Sequence, residues 1–386
     1  MGTFNRLASC LPPLMTALGG AGWLLSAGLA LADSDDRYEI WALDQGTHTI
    51  HIYDQALEEV SRIGLGDHGV RVPHMIDFTS DGRYAFTANV GSGDVAVIRT
   101  EDRSVVEIIA TGPRTHMAGV RPGDEVVVAD IIGNADIERD GRLVEIQLDL
   151  ENERFELGRV LHIAQDPIFA AKAEAFNDVA AICHFDTADG SRTFVTLGPA
   201  LPNGGLVVVD NASFTLEKAW GPEELQTNCG TMLTPDGRHM LVNGGGGEVG
   251  VWHAIDVETL EVVRQDMSSQ GIDAHGVRNL PNGEEIWMVN RGSSNGIVID
   301  ANTLEVIDTL ADTGKTPDIL DFSPDSRFAF VTLRGPEPVS MPHMAQGETP
   351  GFAVIDVATR EVVSIIQPAE GDPQSDFHGI GVRTLP

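Results

Sequence analysis

One repeated pattern governs what this chain can fold into. The stretch Val72-Pro73-His74-Met75-Ile76-Asp77-Phe78-Thr79-Ser80-Asp81-Gly82-Arg83-Tyr84-Ala85-Phe86-Thr87-Ala88-Asn89 reads as a buried strand, a tight turn at Ser80-Asp81-Gly82 and a second strand. The turn returns as Pro122-Gly123-Asp124, Ala188-Asp189-Gly190, Pro235-Asp236-Gly237, Pro281-Asn282-Gly283 and Pro324-Asp325-Ser326, each followed by a β-rich run. Pro, Asp, Asn and Gly are the residues that let a chain reverse within a few positions. A third strand follows, as in Asp94-Val95-Ala96-Val97-Ile98 and Gly351-Phe352-Ala353-Val354-Ile355-Asp356, and a fourth comes after a polar turn, as at 104–109 and 361–366. Four short strands per unit, repeating every 40 to 50 residues or so (about the length of one blade), predict a β-propeller of the WD40-like type.

Six such units run from His74 to about Gln367. The remainder completes a seventh: residues 38–43, 49–53 and 58–63 supply three strands without an inner one, and residues 379–383 supply an inner strand without the others. The expected fold is therefore all-β, a seven-bladed β-propeller of four-stranded blades closed by pairing N- and C-terminal strands in one blade. Closure leaves no sheet edge open between blades. The propeller spans residues 33–386 as one domain, with a short helix inserted within residues 165–181.

Lys and Arg total 25 against 58 Asp and Glu, a net charge of -33, and 42% of the residues are hydrophobic. That apolar share is enough for a core, so the acid excess reads as surface charge on a folded protein. Such a surface repels nucleic acid and anionic headgroups. Residues 1–32 carry one charged side chain, Arg6, followed by an apolar run and Ala30-Leu31-Ala32 before Asp33. This is the pattern of a signal peptide cleaved after Ala32, which predicts a periplasmic or secreted protein with no stable membrane insertion after cleavage. Cys183 and Cys229 remain beyond it, enough for at most one disulfide and not for a disulfide framework.

The repeated wording of the strands, Val-Ile-Asp, then a Thr-Leu-Glu-Val turn, then Pro-Asp-Ser before Arg-Phe-Ala-Phe-Val-Thr, resembles the YVTN family of exported seven-bladed propellers. The resemblance implies the fold over nearly the whole chain after residue 32; function has to be argued from a site.

Inner strands line a propeller's central channel, so equivalent positions on them form a ring. Counting back seven residues from the middle turn residue gives His74, His116, Cys229, His275 and Asp318. In the third blade that position is Ile182, with His184 two residues on and so on the same strand face. His378 precedes Gly379-Ile380-Gly381 much as His275 precedes Gly276-Val277. A polar channel can hold His only to satisfy backbone groups, yet imidazole and thiolate together suit copper, zinc or iron. His74, His116, His184, Cys229, His275, Asp318 and His378 are the candidate metal ligands, with Asp318 and Cys229 also able to act by orienting bound His.

The segment from Val72-Pro73-His74-Met75 to Asp81-Gly82-Arg83-Tyr84-Ala85-Phe86 is similar to a blade of nitrous oxide reductase, whose propeller holds copper through inner-strand histidines. Where that family carries an adjacent His pair before the Pro, this chain has Arg71-Val72, which implies a simpler site. The expectation is a transition metal at the channel mouth, copper ahead of zinc, iron or haem, serving redox chemistry on a small molecule or metal handling. The alternative is a non-catalytic propeller that recognises a protein, peptide or cell-envelope component with its loop face. Phosphate loops, nucleophile elbows and His-Glu-x-x-His are absent from the sequence.

Overall fold

The computed structural model describes residues 37–176, 179–198, 204–245, 249–341, 344–368 and 371–385. The expected signal peptide, residues 1–32, and His343 in the loop after residue 334 lie outside the described residues. Seven four-stranded antiparallel sheets are present. The first blade is Pro73–Phe78, Tyr84–Asn89, Asp94–Arg99 and Ser104–Ala110. The inner strands of the second to sixth blades are Thr115–Val120, Ala180–Asp186, Thr231–Leu233, Ala274–Asn279 and Pro317–Phe322. Inner strands touch their neighbours in cyclic order, so the blades form a closed ring.

The seventh blade closes as the sequence predicts. The C-terminal strand Phe377–Thr384 pairs with Tyr38–Asp44, which pairs with Thr49–Asp54 and then Glu59–Gly64. The register runs Tyr38 to Thr384 and Ile40 to Val382, with a shift between Ala42 and Asp44. The expected insertion before the third inner strand is helical but fragmentary, one α-turn at Pro167–Ala170 flanked by 3-10 turns. Asp166 caps it by accepting from the Ile168 amide at 2.8 Å, and Phe169 anchors it in the core.

The recurring turns share one hydrogen-bond scheme. In the first blade the Thr79 hydroxyl donates to Asp81 Oδ1 at 2.8 Å, that oxygen accepts from the Arg83 amide, and Gly82 takes φ +67. Thr187-Asp189-Gly190, Thr234-Asp236-Gly237 and Ser323-Asp325-Ser326 repeat it, the last with Ser326 at φ 60. Each turn fixes the register of its inner strand, which is why counting from the turn locates channel-facing positions.

Strands buried on both faces carry continuous apolar runs, and those runs meet between blades. Trp41, Leu43, Ile50 and Ile52 of the seventh blade pack with Ile76, Ala85, Ala96 and Ile98 of the first. Phe86, Val95 and Val97 of the first pack with Val127, Ala129 and Ile146 of the second. Trp41 is fully buried and meets Phe78 edge-on, ring centroids 5.6 Å apart. Replacing it with Ala removes the largest side chain at the closing seam. A loss of about 3–5 kcal/mol is expected, read as a lower denaturant midpoint; an unchanged midpoint would show that this seam does not hold the ring closed.

Candidate metal centre

The inner-strand starts bring six of the seven predicted residues to one buried cluster. His74 stacks on His378 with centroids 3.5 Å apart, and its Nε2 lies 3.0 Å from His116 Nε2. His275 Nε2 is 2.8 Å from Asp318 Oδ1, and His378 Nε2 is 3.6 Å from Asp318 Oδ2. One ligand atom each from His275, Asp318 and His378 fall within 4.8 Å of one another. Cys229 joins through its interactions with His275 and His116, and its sulfur lies 2.6 Å from Cys183 Sγ.

His184 stands apart from this cluster. The ring position of the third inner strand is Ile182, bracketed by a register shift between Ala181 and Cys183 just as His74 and His116 are bracketed in theirs, and His184 lies two residues further along the strand. There its Nδ1 meets Asp130 Oδ2 at 2.8 Å, and its Nε2 lies against Gly119, where an added Cβ would sit 2.5 Å away. Burial lowers its pKa, but Asp130 prevails and the net shift is upward.

The tautomers of three histidines follow from their partners. A carbonyl oxygen can only accept, so an imidazole nitrogen facing one must carry the proton. His116 Nδ1 faces the Ile182 carbonyl at 2.8 Å, and His378 Nδ1 faces the His74 carbonyl at 3.0 Å. His74 Nδ1 faces Gln45 Oε1 at 2.9 Å. Gln45 is oriented by giving its amide N–H to Asp376 Oδ2 at 2.9 Å. In the neutral form all three rings thus present an unprotonated Nε2. Burial keeps them neutral: it pushes His74 and His378 well below the usual histidine range and lowers His116 despite Cys229 and the Ile182 carbonyl.

The consequence is an uncompensated pair. With both rings neutral and protonated on Nδ1, His74 and His116 aim two Nε2 lone pairs at each other across 3.0 Å. Two such acceptors repel unless a proton or a metal ion lies between them, and neutral imidazole nitrogens oriented through Nδ1–H are the form in which histidine binds a transition metal.

Asp318 also carries charge. Burial raises its pKa, but the positive groups around it win and hold it well below the carboxylate range. Since His378 is kept neutral, the charges responsible are His275 at 2.8 Å from Oδ1, Arg334 Nη1 at 2.8 Å from Oδ2 and Arg291 Nη1 at 3.3 Å from Oδ1. Both carboxylate oxygens are engaged, so Asp318 positions His275 and balances two guanidiniums. His275 is pushed up to about 9: burial and Arg291 oppose its protonation, while Cys229 and Asp318 favour it. Cys229 is held well below the usual thiol range by the Cys183 S–H and, against burial, by His275 and His116.

Gln45, Arg291 and Arg334 were not singled out by the ring count, yet they occupy one repeat position. Each follows the second strand of its blade, after Asp44, Asn290 and Leu333. Reading that position across blades finds them. They form a second tier over the ring: Arg334 also binds Asp376 and the Ser340 carbonyl at 2.8 Å, and Arg291 binds Asp273 at 2.7 Å. The loop after residue 334 is thereby drawn over the ring, which is buried beneath it: His74, His275 and His378 are 2–4% exposed. On the other side lies a cavity of 430 Å³ lined by Met75, Met117, Met232, Cys183, Cys229 and His275, reaching Ser80 and Asp124 at the turn face.

The fold and its channel cluster define a seven-bladed propeller with a histidine-rich axis. Residues 196–367 match the family model described as YNCE-like beta-propeller, which with the seven blades bears out the YVTN-type resemblance. No curated protein matches the sequence. Among solved structures, a chain of hydrazine synthase from Kuenenia stuttgartiensis is 14% identical, with TM-score 0.58, covering 84% of this chain and 91% of that one. Dihydro-heme d1 dehydrogenase NirN in complex with DHE is 15% identical, with TM-score 0.55 and coverage of 89% and 74%. The beta-propeller domain of Cps50 (Swd1) from Myceliophteria thermophila is 14% identical, with TM-score 0.52 and coverage of 78% and 94%. At these identities the likeness is one of fold.

The His184–Asp130 pair gives a pH signature. Because folding raises the His184 pKa above its ordinary 6.5, the stabilisation is complete below that pH and disappears as pH rises through the folded value. Melting curves of native protein and His184→Gln from about pH 6 to about pH 9 should converge toward alkaline pH; a gap that widens contradicts the pairing.

Proposed function

We propose that this chain is an exported propeller that binds a transition metal, copper before zinc or iron, among His74, His116, His275, His378 and Cys229, for redox chemistry on a small molecule or for metal handling. The observation that carries the reading is the facing pair of bare Nε2 atoms on His74 and His116, each ring fixed by a hydrogen bond from Nδ1. The soft donors support copper in particular. Cys229 and the thioethers of Met75, Met117 and Met232 all line the cavity on the turn side of the ring, and thiolate, thioether and imidazole are the ligands Cu(I) favours. That cavity is the route by which an ion or small substrate reaches the ring, at His275 and Cys229, since the opposite side is covered by the Arg291 and Arg334 tier.

Export rests on residues 1–32 and the Ala30-Leu31-Ala32 site; the secreted protein should begin at Asp33 when its N-terminus is sequenced. The acidic surface suits neither nucleic acid nor an anionic membrane as partner. The long loop after residue 334, which a loop-face recognition protein would present to a partner, has Val339 and Ser340 bound to Asp376 and Arg334 instead.

The test is metal analysis of protein expressed with copper and with zinc. Stoichiometric metal is expected, lost in both His74→Ala and His116→Ala. Gln45→Ala, which removes only the partner of His74 Nδ1, should weaken affinity by about 10–100-fold. Metal-free protein under both conditions, or metal retained in both His variants, refutes the site.

A further inference from the structure

The mechanism of metal binding makes no use of Cys183, and the two thiols together carry chemistry that does not depend on a metal. Cys183 sits on the third inner strand and Cys229 just before the fourth, 46 residues apart in sequence, with sulfurs 2.6 Å apart. Both are free cysteines and both are buried, at 4% and 2% exposure. Both also line the 430 Å³ cavity, whose other end reaches the turn face at Ser80, Pro122 and Asp124. The pair is hidden from macromolecules but lies on a passage with room for a small reagent.

We propose that Cys183 and Cys229 form a reversible redox pair, exchanging with small-molecule thiols and disulfides that enter through the channel cavity. In the oxidising direction one cysteine thiolate attacks a sulfur of an external disulfide, breaking its S–S bond and releasing one thiol. The second cysteine then attacks the resulting mixed disulfide, forming the Cys183–Cys229 bond and releasing the second thiol. The two cysteines lose two electrons and two protons, and the external disulfide gains them as two thiols. Reduction by a small thiol runs the same steps backward.

The placement gives the exchange two effects. A bond between these sulfurs would join the third blade to the fourth at the channel wall. It would also take the Cys229 sulfur out of the ring's donor set, which links this pair to the metal reading above without depending on it. Arrangement supports reversibility over a permanent staple: the bond would close no blade and anchor no terminus, since the seventh blade already closes the ring through strand pairing.

The experiment uses the reduced full chain, metal-free, treated with 2-hydroxyethyl disulfide and then with 2-mercaptoethanol, both under native conditions. Peptide mapping after alkylation under denaturing conditions separates these cysteines from Cys10. The expected result is a linked Cys183–Cys229 peptide, lighter by two hydrogens, that disappears again on native treatment with the thiol. Cys183→Ser should stop at a mixed disulfide on Cys229. Two cysteines that stay alkylatable after the disulfide overturn the proposal, and so does a linked peptide that native thiol does not reopen. Because the readout is covalent and the protein carries no metal, failure here leaves the metal site standing, and loss of the metal site leaves this result untouched.

Discussion

The pairing of the C-terminal strand with the N-terminal one is the constraint on which the site depends. It places Phe377–Thr384 inside Tyr38–Asp44 and thereby closes the ring of inner strands. The same pairing brings four site residues together from the two ends of the chain. Gln45 follows the N-terminal strand and fixes His74; His378, on the C-terminal strand, stacks on His74 and donates to its carbonyl. Asp376 precedes that strand, orients Gln45 and anchors Arg334. Without closure there would be neither the tautomer of His74 nor the plug above it.

Burial then does the chemical work. Inside the ring the side chains are buried, so imidazoles without a charged partner stay neutral and charges survive only where they are paired. The result is a division of the ring. On the side of the fifth and sixth blades, Asp318, Asp273 and Asp376 balance Arg291 and Arg334 in a buried ion-pair network. On the side of the first two blades stand neutral histidines with bare nitrogens, and toward the fourth stand the thiols. The first half holds geometry; the second offers ligands.

Much of this was legible in the sequence because the turn chemistry is local. Thr or Ser, a residue, Asp and Gly close a turn through contacts within five residues, so their spacing fixed blade number and strand register before any long-range contact was known. Register counting found the ring for the same reason. It fell short at His184, which lies two residues beyond the ring position that Ile182 holds in its blade, and at Cys183, which the count passed over beside Ile182. The Arg291, Arg334 and Gln45 tier escaped because its meaning is long-range: these side chains matter through partners such as Asp376, 42 residues from Arg334 in sequence, that only the closed ring supplies. The helical insertion was expected as one short helix, but with Pro167 opening it and few residues to propagate through, it yields a single α-turn between 3-10 turns.

The central claim is that His74, His116 and His378 all carry their proton on Nδ1 and leave Nε2 bare toward a shared centre. Nitrogen-15 NMR of histidine-labelled, metal-free protein reads this directly through the shifts and long-range couplings of each ring. The account predicts three neutral Nδ1–H tautomers whose Nε2 resonances move when copper or zinc is added. An Nε2–H on His74 or His116, which would make their 3.0 Å contact an ordinary hydrogen bond, would contradict it.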